Sequence, residues 1–181
     1  MLTFDTLLER GRQHDRGSLM RLYDLCCAPV FNASYRIVLN EQDAEEITQD
    51  AMLKVFASLG SFAGSQRDFI ALAKTIAINK SIDAFRRRRR EPFFEDIDAV
   101  AAAPDEPDED FSDLAIDKIK EALNALPDGY RLTITLRLID GMEFADIAET
   151  MGIKESTVRS QYARGLEKLR VECSKFSLKD I

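Results

Sequence analysis

Arg159, Ser160, Ala163 and Arg164, with Gln161 beside them, fall on the side of a predicted helix opposite Val158, Tyr162, Leu166 and Leu169. An arginine near the start of such a helix can bond guanine through two N–H groups at once, and serine or threonine hydroxyls can bond phosphate oxygens. This is recognition chemistry, in which no covalent bond changes. A second concentration of positive charge, Arg86 to Arg90, follows Phe85. Five successive arginines offer a strong phosphate-binding surface; the plainer reading is a solvated helix end favoured by the helix dipole.

Groups suited to covalent catalysis are scarce. The single histidine, His14, lies in a polar, arginine-flanked stretch, so neither a zinc site nor a Ser-His-Asp triad can be assembled around it. The glycine-containing run Gly60 to Ser65 lacks the lysine of a phosphate-binding loop. Cys26, Cys27 and Cys173 are odd in number and have no metal-site spacing, so they are expected to be buried or partly buried thiols. The chain is expected to be no enzyme and to need neither cofactor nor metal.

The elements that must position the arginines are helices. Phe144, Ile147, Ala148 and Met151 repeat at i, i+3, i+4, i+7, and Gly152 stands where a helix closes with a left-handed residue. With the longer helix that follows, this is the layout of a helix-turn-helix, in which the second helix protrudes to meet a major groove. The alternative is an ordinary helical hairpin whose arginines face water. Upstream, Ile116 to Leu126 marks a helix stopped by Pro127-Asp128-Gly129, and a further helix around Tyr130 to Ile139 runs into Gly141.

The first half reads as helical too. Leu19, Leu22, Tyr23, Cys26 and Val30 predict a long helix interrupted or bent near Pro29. Asn40 is placed to cap a helix that turns Ala44, Ile47, Ala51, Val55 and Leu59 inward and leaves Glu45, Glu46, Gln49 and Asp50 outside. By periodicity alone those four form either a solvated face or a docking face. After the loop from Gly60 to Gln66, another helix carries Phe69, Leu72, Ala73, Ile76 and Ala77 inward.

Charge divides this all-α chain in two. It holds 25 Lys and Arg against 32 Asp and Glu over 181 residues, yet residues 91 to 113 alone carry ten acidic side chains and no basic one. That stretch also contains Pro92, Pro104 and Pro107, and like charges so close repel rather than fold. The expectation is two small helical domains, 1–90 and 114–181, joined by an acidic flexible linker, 91–113. No secretory signal or membrane-length apolar run is present, which points to a cytoplasmic protein without membrane insertion.

The run from Leu126-Pro127-Asp128 through Leu136-Arg137-Leu138-Ile139-Asp140-Gly141-Met142-Glu143-Phe144-Ala145-Asp146-Ile147-Ala148, then Gly152-Ile153 and Thr157-Val158-Arg159-Ser160, resembles the promoter-recognising fourth region of extracytoplasmic-function sigma factors. Asp43-Ala44-Glu45-Glu46 to Phe56 resembles that family's polymerase-binding helix. Phe69 to Arg88, with Ile76-Ala77-Ile78-Asn79 and Ile82-Asp83, resembles its promoter-melting helix.

The resemblance implies a non-enzymatic sigma subunit that binds core RNA polymerase and promoter DNA and has an anti-sigma factor as partner. Glu45, Glu46, Gln49 and Asp50 would dock on the clamp helices of the polymerase's largest subunit. Asn79 and the 60–66 loop would hold a base flipped from the minus-ten element, with Arg86 and Arg87 on its DNA. Arg137 and Thr157 would grip phosphates of the minus-thirty-five element, alongside Ser160, while Arg159 and Arg164 read bases. The acidic segment would either thread the polymerase's RNA path or simply solubilise. The sequence departs from the family pattern at Leu72, usually Trp, and at Glu143 and Lys154, where Ser is usual or frequent. The rival readings are a sigma mimic that sequesters an anti-sigma factor, and a helix-turn-helix regulator that acts without polymerase.

Overall fold

The computed structural model describes residues 2–88 and 113–177, which contain helices and turns and no strand. Two compact units emerge, one within Met1–Arg90 and the other within Glu91–Ile181. The acidic stretch predicted as a linker lies outside the described residues, apart from Asp113 at the start of a helix. Arg89 and Arg90 lie outside them too.

The first unit has four helices: α1 (Phe4–Arg12), α2 (Arg16–Val38), α3 (Glu41–Ala57) and α4 (Gln66–Arg88). α2, α3 and α4 pack against one another, and α1 lies on α2. Leu22, Cys26 and Val30 of α2 meet Ile47, Ala51 and Val55 of α3 and Phe69, Ala73 and Ala77 of α4, all buried at the helical spacing the sequence displays. α1 was not anticipated. Its apolar residues Phe4, Leu7 and Leu8 span little more than one turn, and it is held by docking and by Thr3, whose hydroxyl accepts from the Thr6 amide at 3.3 Å.

α2 runs through Pro29 without the predicted interruption. Proline removes one N–H from the ladder, but the buried Cys26 and Val30 on either side keep the helix seated on the core. Beyond it, Leu39 adopts φ +51° and Asn40 Oδ1 accepts from the Asp43 amide at 2.9 Å, which caps α3 as its sequence predicts.

The second unit contains α5 (Asp113–Ala125), α6 (Asp128–Ile134), a π-helical turn (Thr135–Ile139), α7 (Phe144–Met151) and α8 (Glu155–Ser177). α8 packs on α5, α6 and α7. All six residues from Arg131 to Leu136 are buried, so the end of α6 and the start of the π-helical turn are enclosed on every side. Arg131, 1% exposed, survives there because its guanidinium donates to Asp128 at 2.9 Å. Sequence periodicity reads 130–139 as one helix; the structure widens its last five residues, with the Asp140 amide reaching back to the Thr135 carbonyl at 3.1 Å.

Close approach fixes one glycine. A Cβ on Gly165 would lie 2.9 Å from Ile134 Cδ1 and 3.1 Å from Tyr130 Cβ, so a side chain there would force Ile134 to shift where α8 meets α6.

Candidate nucleic-acid interface

The turn between α7 and α8 is built by Gly152, at φ +64°, whose amide donates to the Glu149 carbonyl at 3.1 Å while Ile153 donates to Ala148 at 3.0 Å. The Lys154 carbonyl then accepts from the Thr157 and Val158 amides and starts α8. This gives the predicted helix-turn-helix its geometry.

The face that α8 exposes is narrower than the sequence suggests. Arg159 keeps 60% of its side chain exposed, and Glu155 and Ser156 are exposed beside it. Ser160, predicted to stand outside, is only 4% exposed, and Gln161 and Thr157 are buried as well. The reason is the number of neighbours. At 3.6 residues per turn Ser160 lies about 100° round the helix from Arg159, and with three helices packed on α8 that arc is covered. Gln161 Oε1 instead accepts from the Thr133 hydroxyl at 3.1 Å and ties α8 to α6.

Arg164 is half-buried and lines a groove with Leu126, Pro127, Glu167 and Val171. It does not share a patch with Arg159, since five residues along the helix is a rotation of about 140°. Ser156, which sequence reasoning passed over, lies about 60° from Arg159 and belongs to the exposed stripe. The same helical rotation, applied with Arg159 as origin, would have found it.

Arg137 enters this region from the π-helical turn. Its Nη1 donates to the Met142 carbonyl at 3.0 Å and pairs with Glu143 at 2.9 Å, and its guanidinium lies 4.9 Å from the Phe144 ring centroid. Arg159 approaches the same ring at 4.6 Å. Tyr162 packs edge-on against Phe144 at 5.3 Å, which keeps that ring in place.

In the first unit, α3 exposes Glu45, Glu46, Gln49 and Asp50, joined by Leu53, 67% exposed. Asp50 forms an ion pair with Lys80 of α4 at 2.7 Å, so one member of the acidic face is already engaged. A groove between α3 and α4 is lined by Glu46, Asp50, Lys80, Asp83, Arg86 and Arg87, which brings together residues the sequence assigned to separate surfaces. Asn79 is exposed on α4, in line with Thr75 and Asp83.

The loop between α3 and α4 is pinned from both sides. Arg12 donates from Nε to the Leu59 carbonyl at 3.0 Å and from Nη2 to the Phe62 carbonyl at 2.6 Å. Phe62 packs edge-on against Phe69 at 5.4 Å. Ser65 caps α4 reciprocally: its amide and hydroxyl donate to Asp68 Oδ2 at 2.8 and 2.7 Å. Those bonds from Ser65 hold the Asp68 carboxyl below its ordinary range. Arg12 carries no periodic signal for this role, because the contact is made some fifty residues away along the chain.

Among the described residues no cluster of side chains could hold a metal ion, and no helix is long and apolar enough to cross a membrane.

Residues 22–91 match the family described as Sigma-70 region 2, and residues 116–169 match Sigma-70, region 4. The chain is 33% identical over 152 residues to the ECF RNA polymerase sigma factor SigE of Mycolicibacterium smegmatis, covering 82% of this chain and 58% of that one. It is 25% identical over 177 residues to ECF RNA polymerase sigma factor SigW of Bacillus subtilis, covering 90% and 92%. Two solved structures share the fold. CnrH, determined with the cytosolic domain of CnrY, gives a TM-score of 0.54 at 21% identity over 93% of this chain and 96% of that one. The sigma factor RpoE of Bartonella quintana, determined with the anti-sigma factor NepR, gives 0.53 at 23% identity over 88% and 96%. With regions 2 and 4 falling in order on its two helical units, this chain belongs to the sigma-70 family, among the extracytoplasmic-function sigma factors.

Proposed function

We propose that the chain acts as a sigma subunit: it binds core RNA polymerase, carries it to promoters and starts strand opening. The observation that carries this reading is the exposed Arg159 near the start of α8, behind a left-handed Gly152, in a chain that also exposes Asn79 and the acidic face of α3. A sigma mimic that touches no DNA has no use for Asn79 or Arg159.

In this reading Glu45, Glu46 and Gln49 face the polymerase, with Asp50 steadied by Lys80. Asn79 takes a base extruded from the minus-ten element. Its amide both donates and accepts, which suits a polar base edge. Extrusion costs a few kcal/mol of stacking and pairing, so the 58–65 loop fixed by Arg12 helps by being formed in advance. Arg86 and Arg87 contact the adjoining backbone. In the second unit Arg159 reads a base of the minus-thirty-five element and Arg137 stands beside it. Thr157 and Ser160 support α8 from within.

The chain works in the cytoplasm, with the polymerase, and catalyses no reaction of its own. An anti-sigma partner is part of the proposal, supported by the complex in which RpoE was solved with the anti-sigma factor NepR.

A reconstituted assay tests the reading. Core polymerase plus this chain yields transcripts from discrete start sites that neither component gives alone. Loss of specific initiation with Asn79→Ala and Arg159→Ala is expected. Absence of any specific transcript with core enzyme from the same organism overturns the reading.

A further inference from the structure

Arg159, the proposed base reader, is held before DNA arrives. Arg159 Nε donates to Glu155 Oε1 at 2.9 Å and Nη2 donates to the same oxygen at 2.6 Å. The flat side of the guanidinium rests over Phe144 at 4.6 Å. A carboxylate on one edge and a ring on one face together define the plane and the direction of an otherwise flexible side chain. Glu155 can hold this position because it sits one turn earlier on α8, the spacing at which helical side chains meet.

The occupied edge decides what remains. With Nε and one N–H of Nη2 engaged, the edge formed by Nη1 and Nη2 keeps its forward N–H groups for another partner. That edge matches the O6 and N7 of a guanine approached end-on. Glu155 also places a negative charge beside the groove, which weakens contact with phosphates in the wrong place. An arginine without it would bond guanine or phosphate oxygens with little preference.

From this arrangement we infer that Glu155 is a specificity-determining residue of the promoter interface: it locks Arg159 into an end-on orientation that selects guanine at one position of the upstream element. This rests on the reading of α8 as the DNA-facing helix. Phe144 is a positioning residue in the same device. It carries Arg137 on the same ring at 4.9 Å, and Arg137 is matched with its own carboxylate, Glu143, at 2.9 Å. Two guanidiniums can share one ring because each is neutralised.

The test uses full-length wild-type chain and the Glu155→Ala, Glu155→Gln and Arg159→Ala variants, each assembled with core polymerase. They are presented with a library of promoter duplexes randomised across both elements. Bound or transcribed sequences are counted, and binding to core polymerase is measured separately.

Wild type should prefer one base, guanine, at one upstream position by roughly 5- to 150-fold, the range a bidentate arginine contact gives. Glu155→Ala should cut that preference at least about fivefold, binding random duplex as well as or better than wild type. Its affinity for polymerase stays unchanged. Glu155→Gln, which keeps an acceptor oxygen but no charge, should fall between the two.

A guanine preference that survives Glu155→Ala overturns the inference while leaving the proposed function standing. So does a preference that survives Arg159→Ala. A wild-type complex that initiates nowhere specifically overturns both. Glu155 is exposed, and thermal unfolding of each variant, followed by circular dichroism, separates a loss of selectivity from a loss of fold.

Discussion

Arg12 Nη2 donates to the Phe62 carbonyl at 2.6 Å, across fifty residues of sequence. With Nε on Leu59 at 3.0 Å, one guanidinium closes two otherwise loose carbonyls at the end of α3. Arg12→Ala should lower the stability of the first unit by about 1–2 kcal/mol, read as a shift in urea midpoint, because a charged donor to two carbonyls is lost. Arg12→Lys should recover less than half of this, since an ammonium cannot present two forked N–H groups. An unchanged midpoint would mean the loop is held by the Phe62–Phe69 contact and the Ser65–Asp68 cap without Arg12.

Gly165→Ala brings a methyl to 2.9 Å from Ile134 Cδ1. Overpacking of this kind costs about 1–3 kcal/mol, and Ile134→Val should relieve part of it in the double variant. Thermal unfolding of the four proteins of that cycle measures the coupling. Additive losses would place the strain elsewhere.

Asn79→Ala removes an exposed side chain, so stability should change by no more than about 0.5 kcal/mol. Promoter opening, followed by permanganate reactivity, should drop at least about tenfold, corresponding to some 1.4 kcal/mol of lost base capture. Binding to core polymerase should stay as it is. Normal opening by the variant would remove Asn79 from the base pocket.

Ser65 lowers the Asp68 carboxyl, so the cap of α4 depends on pH. A carboxylate held below its unfolded value of about 3.9 contributes stability above that value and loses it as pH falls through the folded one. Wild type should therefore lose more stability between pH 6 and pH 3 (about two units above and one below the unfolded value) than Asp68→Asn does. Asp15, lowered by Ser18, should behave alike at the start of α2. Parallel urea titrations across this range decide the matter, and identical slopes would show the cap is not made in solution.

Burial, with a smaller contribution from Cys27, raises the Cys26 thiol to about 11. At pH 8 it is almost wholly protonated, and the thiolate is the reactive form. Brief iodoacetamide treatment of folded protein should leave Cys26 unmodified and label it only in denaturant, as read by peptide mass spectrometry. Rapid labelling in the folded state would contradict the packing of α2.

The sequence determined what depends on local periodicity and on charge. Leu22, Cys26 and Val30, then Ile47, Ala51 and Val55, repeat at a spacing that only a helix can bury, so their elements and inward faces were readable in advance. Asn40 and Gly152 were readable for a similar reason, since a cap and a left-handed turn are satisfied by neighbours along the chain. The exposed residues Glu45, Glu46 and Arg159 followed from the same rotation, whereas Asn79 was singled out only by the family resemblance.

Tertiary structure decided whatever depends on how many neighbours a helix has. Ser160 and Gln161 looked solvent-facing because a helical repeat assigns one buried stripe, whereas α8 meets α5, α6 and α7 and loses a wider arc to them. The contact of Arg12 with the 58–65 loop and the meeting of Arg137 with Arg159 on Phe144 join residues far apart in sequence. No local pattern records such pairs, because their free energy comes from groups that become neighbours only when the helices pack.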